Sequence, residues 1–254
     1  MTVEALVRRD RVLAAAGLAG LALLAWLYLF RMEGMGGMEM APAMPMPGDQ
    51  GPWRFLLTFL MWAVMMVAMM VPAASPMILT FATINRRRAA AGTPAVPTTV
   101  FLAGYLVIWS AFSLGAAALQ GALQSAALLA PATLRATPLV GAVLLIAAGI
   151  YQLTSLKYAC LARCQSPLGF ILSEWREGSR GALLMGLRHG AFCVGCCWAL
   201  MALLFVAGVM NLLWVAAIAT FVFVEKLVPR GRAVSWSAGA ALLAWGVWVL
   251  LRAL

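Results

Sequence analysis

Apolar residues run along this chain in long blocks, and the polar residues are crowded into the gaps between them. About 20 mostly apolar residues is the length of a helix that crosses a bilayer. Seven such blocks are present, at 12–30, 55–82, 96–118, 139–156, 182–206, 209–227 and 234–251. The fifth and sixth are divided only by Gly208-Val209-Met210-Asn211, a turn by composition. The pattern predicts an all-α polytopic transmembrane helix bundle of about seven spans, since a helix satisfies its own backbone groups inside hydrocarbon. It also suggests two regions: an anchor helix with a polar loop over 1–52, and a six-span membrane domain over 53–254.

Composition excludes the alternative of a soluble domain. Of 254 residues 65% are hydrophobic and 10% charged, and the mean hydropathy is +0.97, which leaves too little polar surface to face water all round. The formal net charge of +10 reads as topology, because the basic residues sit in alternate gaps. Arg8, Arg9 and Arg11 precede the first block, and Arg86, Arg87 and Arg88 follow the second. Lys157, Arg163, Arg176 and Arg180 lie between the fourth and fifth, with Arg230 and Arg232 after the sixth. The positive-inside rule puts all four sets and the N-terminus in the cytoplasm, so the lipid bilayer is the expected partner and nucleic acid is not. A bacterial inner-membrane location and an outward-facing loop at 32–50, carrying Glu33, Glu39 and Asp49, follow from that orientation. The first apolar block is longer than the roughly 7–15 residues of a signal-peptide core, so it is read as an uncleaved anchor.

Candidate chemistry is concentrated in one helical stretch, His189-Gly190-Ala191-Phe192-Cys193-Val194-Gly195-Cys196-Cys197. At about 100° per residue, the only histidine and three of the five cysteines fall within roughly a 100° arc. Cys160 and Cys164 end the preceding apolar block and share a face at i, i+4, so a short loop would bring the two sets together. A lone cysteine behaves as a small hydrophobe. Thiolates grouped with an imidazole suit copper or zinc, and thiolate-rich sites favour monovalent copper. Inert packing is the competing reading. A redox pair is a third, since Cys193-Val194-Gly195-Cys196 has Cys-x-x-Cys spacing. Arg188, deep in an apolar block, is read either as snorkelling to the surface or as a charge that compensates the thiolates.

Methionine gives the second signal. The outer loop holds six methionines in fifteen residues, Met32, Met35, Met38, Met40, Met44 and Met46, interleaved with Gly and Pro. Such thioethers either capture a soft monovalent ion from outside or merely belong to a low-complexity linker. In the second block Met61, Met65 and Met69 repeat at i, i+4, with Met66 and Met70 beside them. Packing or lipid contact explains such a stripe first, a metal relay through Met65, Met66, Met69 and Met70 second. Pro72 and Pro76 are expected to kink or break the helix at the foot of the stripe. Glu225-Lys226 reads as an interfacial anchor and residues 121–136 as an interfacial or re-entrant segment. No phosphate loop, dinucleotide fingerprint, serine nucleophile or paired catalytic carboxylate is present, so no catalytic residue is assigned.

Three separated motifs resemble a known bacterial family. Met61-Trp62-Ala63-Val64-Met65-Met66-Val67-Ala68-Met69-Met70-Val71-Pro72 with Ser75-Pro76-Met77 is similar to its first signature. Tyr151-Gln152-Leu153-Thr154-Ser155-Leu156-Lys157, then Cys160, Cys164 and Pro167, is similar to its second. Gly186, Gly190, Cys193, Gly195-Cys196-Cys197-Trp198, Met201, Met210-Asn211 and Glu225-Lys226 are similar to its third. The family is that of metal-binding integral membrane proteins catalogued as domain of unknown function 2182, and the resemblance implies that all five cysteines are family features. His189 and the methionine loop fall outside that pattern.

The expected function is therefore handling of a soft metal, copper before zinc, by Cys160, Cys164, Cys193, Cys196, Cys197 and His189, with a donor or acceptor protein as partner. Affinity rising from thioether to thiolate points to inward passage. A membrane thiol-disulfide oxidoreductase and a non-catalytic assembly subunit are the alternatives.

Overall fold

The computed structural model describes residues 3–36, 52–94, 96–130, 133–228 and 231–253. Among them every element is helical apart from an isolated bridge between Leu129 and Ala136. The order is α1 Val3–Gly36, α2 Pro52–Ala90, α3 Thr98–Ser125, α4 Pro138–Leu153, α5 Ser155–Gln165, α6 Pro167–Glu174, α7 Gly178–Ala202, α8 Leu204–Ala207, α9 Leu212–Leu227 and α10 Gly231–Ala253. The protein is an all-α polytopic bundle. Among the described residues five helical stretches are long and apolar enough to cross a membrane: Val12–Met32, Pro52–Ala90, Thr98–Ser125, Gly178–Ala207 and Arg232–Ala253.

The fourth and sixth expected spans take another form. At the fourth, α4 and α5 together are long and apolar enough, but they bend by 66° between Leu153 and Ser155. Thr154 is extended there, and its side chain accepts from the Lys157 N–H to cap α5. At the sixth, α9 has 16 residues, a rise of about 24 Å against the roughly 30 Å of hydrocarbon. Residues 121–136, expected as one separate segment, are divided: α3 runs on to Ser125, and the bridge pairs Leu129 with Ala136.

The two prolines do not break α2, which runs without interruption from Pro52 to Ala90. Each proline lacks the N–H that would serve the carbonyl four residues earlier, so Ala68 and Pro72 are left with free carbonyls. Both are served by side chains instead. Trp26 of α1 donates its indole N–H to the Ala68 carbonyl at 3.1 Å, and the Ser75 hydroxyl donates to the Pro72 carbonyl at 2.8 Å. A neighbouring helix and a local hydroxyl are what allow proline inside a membrane helix. The first of these bonds also fastens α1 to α2.

Packing of α3 against α7 relies on glycine. A Cβ on Gly186 would lie 2.1 Å from the Phe101 carbonyl oxygen, and one on Gly104 would lie 2.3 Å from that of Leu183. Only backbone without side chain permits that approach, which is the usual way helices pack when lipid offers no hydrophobic drive. The methionine face of α2, with Met61, Met65, Met66, Met69 and Met70 all buried, closes over the same core. These methionines are therefore interior, and lipid contact is excluded for them.

Candidate metal centre

Cys193 lies at the mid-point of the Gly178–Ala207 stretch, and Cys193, Cys196 and Cys197 all point into the core with at most 1% exposure. Helical spacing sets that common face, as the sequence indicates. What lies opposite comes from other helices. The bend after α4 turns α5 along α7, and Cys160 and Cys164 lie one helical turn apart on α5. Cys164 Sγ lies 4.0 Å from Cys196 Sγ. Cys160 is half-buried and leans on Gly195, where a Cβ would come within 2.8 Å of its Sγ. From α2, Met70 Sδ stands 3.8 Å from Cys197 Sγ. All five cysteines are free.

These two separations have a chemical meaning. Two sulfurs each about 2.3 Å from one ion, at a tetrahedral angle, stand about 3.8 Å apart. Cys164 with Cys196 and Cys197 with Met70 are therefore spaced as donor pairs. Among the described residues no three His, Cys, Asp or Glu side chains converge to hold one ion. The Cys196 and Cys197 thiols both reach the Cys193 carbonyl, at 3.1 and 2.9 Å, a bond each sulfur must exchange if it ligates.

The charge beside the thiols is not the expected one. Arg188 is 44% exposed and pairs with Glu174, so it balances a carboxylate and not the cysteines. Lys226 of α9 takes that place, with Nζ 2.9 Å from Cys193 Sγ and its side chain buried. Lys226 and Glu225, in the last turn of α9, are both buried. Tyr105 of α3 also reaches Cys193, its hydroxyl 3.2 Å from Sγ and donating to the Met70 carbonyl at 3.1 Å.

Beside Lys226, Glu225 forms a fully buried ion pair with Lys157 at 2.7 Å. Ser235 donates to the same carboxylate oxygen at 2.5 Å, and Gln152 accepts from the Lys157 ammonium. Lys157 is accordingly no part of a cytoplasmic basic loop, and Glu225-Lys226 is no interfacial anchor. The bend into α5 carries Lys157 inward, and a buried ion requires a buried counter-ion. Sequence reasoning missed Lys157, Glu225, Lys226 and Tyr105. The available signal was two opposite charges at the end of an apolar block, since ionisable groups inside membranes are rare and functional.

His189 is buried against Tyr105, Phe101 and Phe170, at ring-centroid distances of 5.5, 6.1 and 5.6 Å. Neither of its nitrogens has a hydrogen-bond partner among the described residues. It is one helical turn from Cys193 on the same face, its ring stacked with those of Tyr105 and Phe101. Of the methionine calls, Met65, Met66 and Met69 are buried beside Met70. Met38, Met40, Met44 and Met46, and the side chain of Met35, lie outside the described residues.

The copper chaperone family PpoB2 matches residues 59–249, well over half of the chain. The chain belongs to that family. Comparisons with curated proteins and with solved structures return no match.

Proposed function

We propose that this protein is a multi-pass inner-membrane copper handler that holds monovalent copper on the sulfurs at the centre of its bundle. The observation that carries the reading is the pairing of soft donors from three helices: Cys164 on Cys196 at 4.0 Å and Met70 on Cys197 at 3.8 Å. Thiolate and thioether donors select monovalent copper over harder ions. Zinc is held by Cys, His and carboxylates, so the Met70 thioether beside Cys197 makes zinc the lesser candidate. Membership of a copper chaperone family and the three motifs similar to domain of unknown function 2182 agree with metal binding.

In this reading the ion is cargo. Cys160, at the rim of the cluster, and His189, with two uncommitted nitrogens, are auxiliary ligands that meet the ion during entry or release. The methionine face of α2 leads to the cluster, and the loop methionines Met35, Met38, Met40, Met44 and Met46 would capture copper on the outer side. Weak thioethers followed by tight thiolates give inward passage to a cytoplasmic acceptor.

Metal analysis of the full chain purified under reducing conditions, against a Cys193→Ser/Cys196→Ser/Cys197→Ser variant, tests the site. Retained copper in the wild type and its loss in the variant is the expected result. Equal, substoichiometric metal in both removes the proposal. Thiol-disulfide exchange remains the second reading because of the Cys164–Cys196 approach, and thiols that stay fully reduced under alkylation trapping in cells dismiss it.

A further inference from the structure

We propose that Lys226 is a specificity-determining residue that biases the sulfur site towards monovalent over divalent ions. The inference rests on the copper-cargo reading above and deepens it. Its ammonium lies 2.9 Å from Cys193 Sγ, buried, in the middle of the bundle. The other charges around the site are already balanced or lie at its margin. Lys157 is neutralised by Glu225 at 2.7 Å, Arg188 pairs with Glu174 away from the thiols, and the exposed Arg163 stacks on Phe192. Among the described residues Lys226 is thus the one cation that faces the thiols directly.

A fixed positive charge attracts the thiolates equally whichever ion they hold, but it repels the ion itself in proportion to ionic charge. A divalent ion is repelled twice as strongly as a monovalent one, and the difference is the interaction of one unit charge with another. An ion bound to Cys193 lies at most about 5 Å from Nζ, given the 2.9 Å contact and a metal–sulfur bond of about 2.3 Å. In an effective dielectric of about 20 that difference is on the order of a hundredfold in relative affinity. The preference does not depend on which sulfurs ligate, provided their number is the same for both ions. It adds charge discrimination to softness, which by itself does not separate monovalent copper from soft divalent ions.

Ag(I) and Cd(II) are suitable probes because both are soft and differ in charge. Their dissociation constants would be measured on the full chain in detergent, under anaerobic reducing conditions, by competition with chelators and by thiolate-to-metal absorption. Lys226→Leu, which removes the charge without adding a donor, should lower the ratio of the Cd(II) to the Ag(I) constant at least tenfold, while Lys226→Arg, which keeps the charge, should leave the ratio near that of the wild type. Lys226→Gln replaces the leucine variant if the latter does not fold. An unchanged ratio in the neutral variant, with Ag(I) and Cu(I) still bound, overturns the role of Lys226 and leaves copper handling intact. A wild type that binds neither Ag(I) nor Cu(I) overturns both.

Discussion

Neutralising one member of the Lys157–Glu225 pair should destabilise the protein far more than neutralising both. Lys157 Nζ and Glu225 Oε1 are 2.7 Å apart, with side-chain exposures of 1% and 0%. Water therefore contributes nothing to either ion, and each is solvated by the other, by Ser235 on the carboxylate and by Gln152 on the ammonium. Removing one partner of such a pair strands a buried charge at a cost of about 3–5 kcal/mol, whereas replacing both by apolar residues of similar volume is often neutral or stabilising. Lys157→Met and Glu225→Leu are each expected to cost that amount, a fall in Tm of roughly 6–20 °C on the scale of domains this size. The double variant should recover most of the loss. The same ladder should appear in copper retention, because Lys157 lies one turn before Cys160 and two before Cys164, and the pair fixes α5 against α9. Gln165 fastens the other end of α5 by donating to the carbonyls of Glu225 and Val228 at 2.8 and 3.1 Å. Thermal unfolding in detergent, with metal content measured on the same samples, reads both quantities. Single variants within about 1 kcal/mol of wild type, or a double variant no better than the worse single, would refute the reasoning from buried-ion energetics.

The Trp26 indole satisfies a carbonyl that Pro72 leaves free, so Trp26→Phe should cost about 1–3 kcal/mol. The cost should shrink in a Pro72→Ala background, where a backbone N–H returns to Ala68; equal costs in both backgrounds by thermal unfolding would separate the indole from the proline. Deleting residues 32–46 should lower cellular copper accumulation when external copper is scarce and have little effect when it is plentiful. Greater retention of copper after the deletion would reverse the direction proposed.

Much of this protein is local and is therefore written along the chain. Apolar blocks of bilayer length dictate helices wherever the backbone has no water to bond to, and the all-α bundle follows. Helical periodicity alone places His189, Cys193, Cys196 and Cys197 on one face, and Met65, Met66, Met69 and Met70 on another. What faces those residues is a matter of which helices meet, and no local pattern encodes it. Arg188 sits one residue from His189 in sequence yet turns to Glu174, while Lys226, 33 residues beyond Cys193, reaches its sulfur. Lys157 resembles the arginines of a basic loop until the 66° bend carries it to Glu225. Likewise Pro72 predicts a break only until Trp26 is seen to supply the missing donor. Sequence determined the helices and the type of donor on each face. Tertiary structure decided the pairing of sulfurs and the identity of the buried charges, because ions and free carbonyls inside a membrane take whichever partner the packed helices bring within reach.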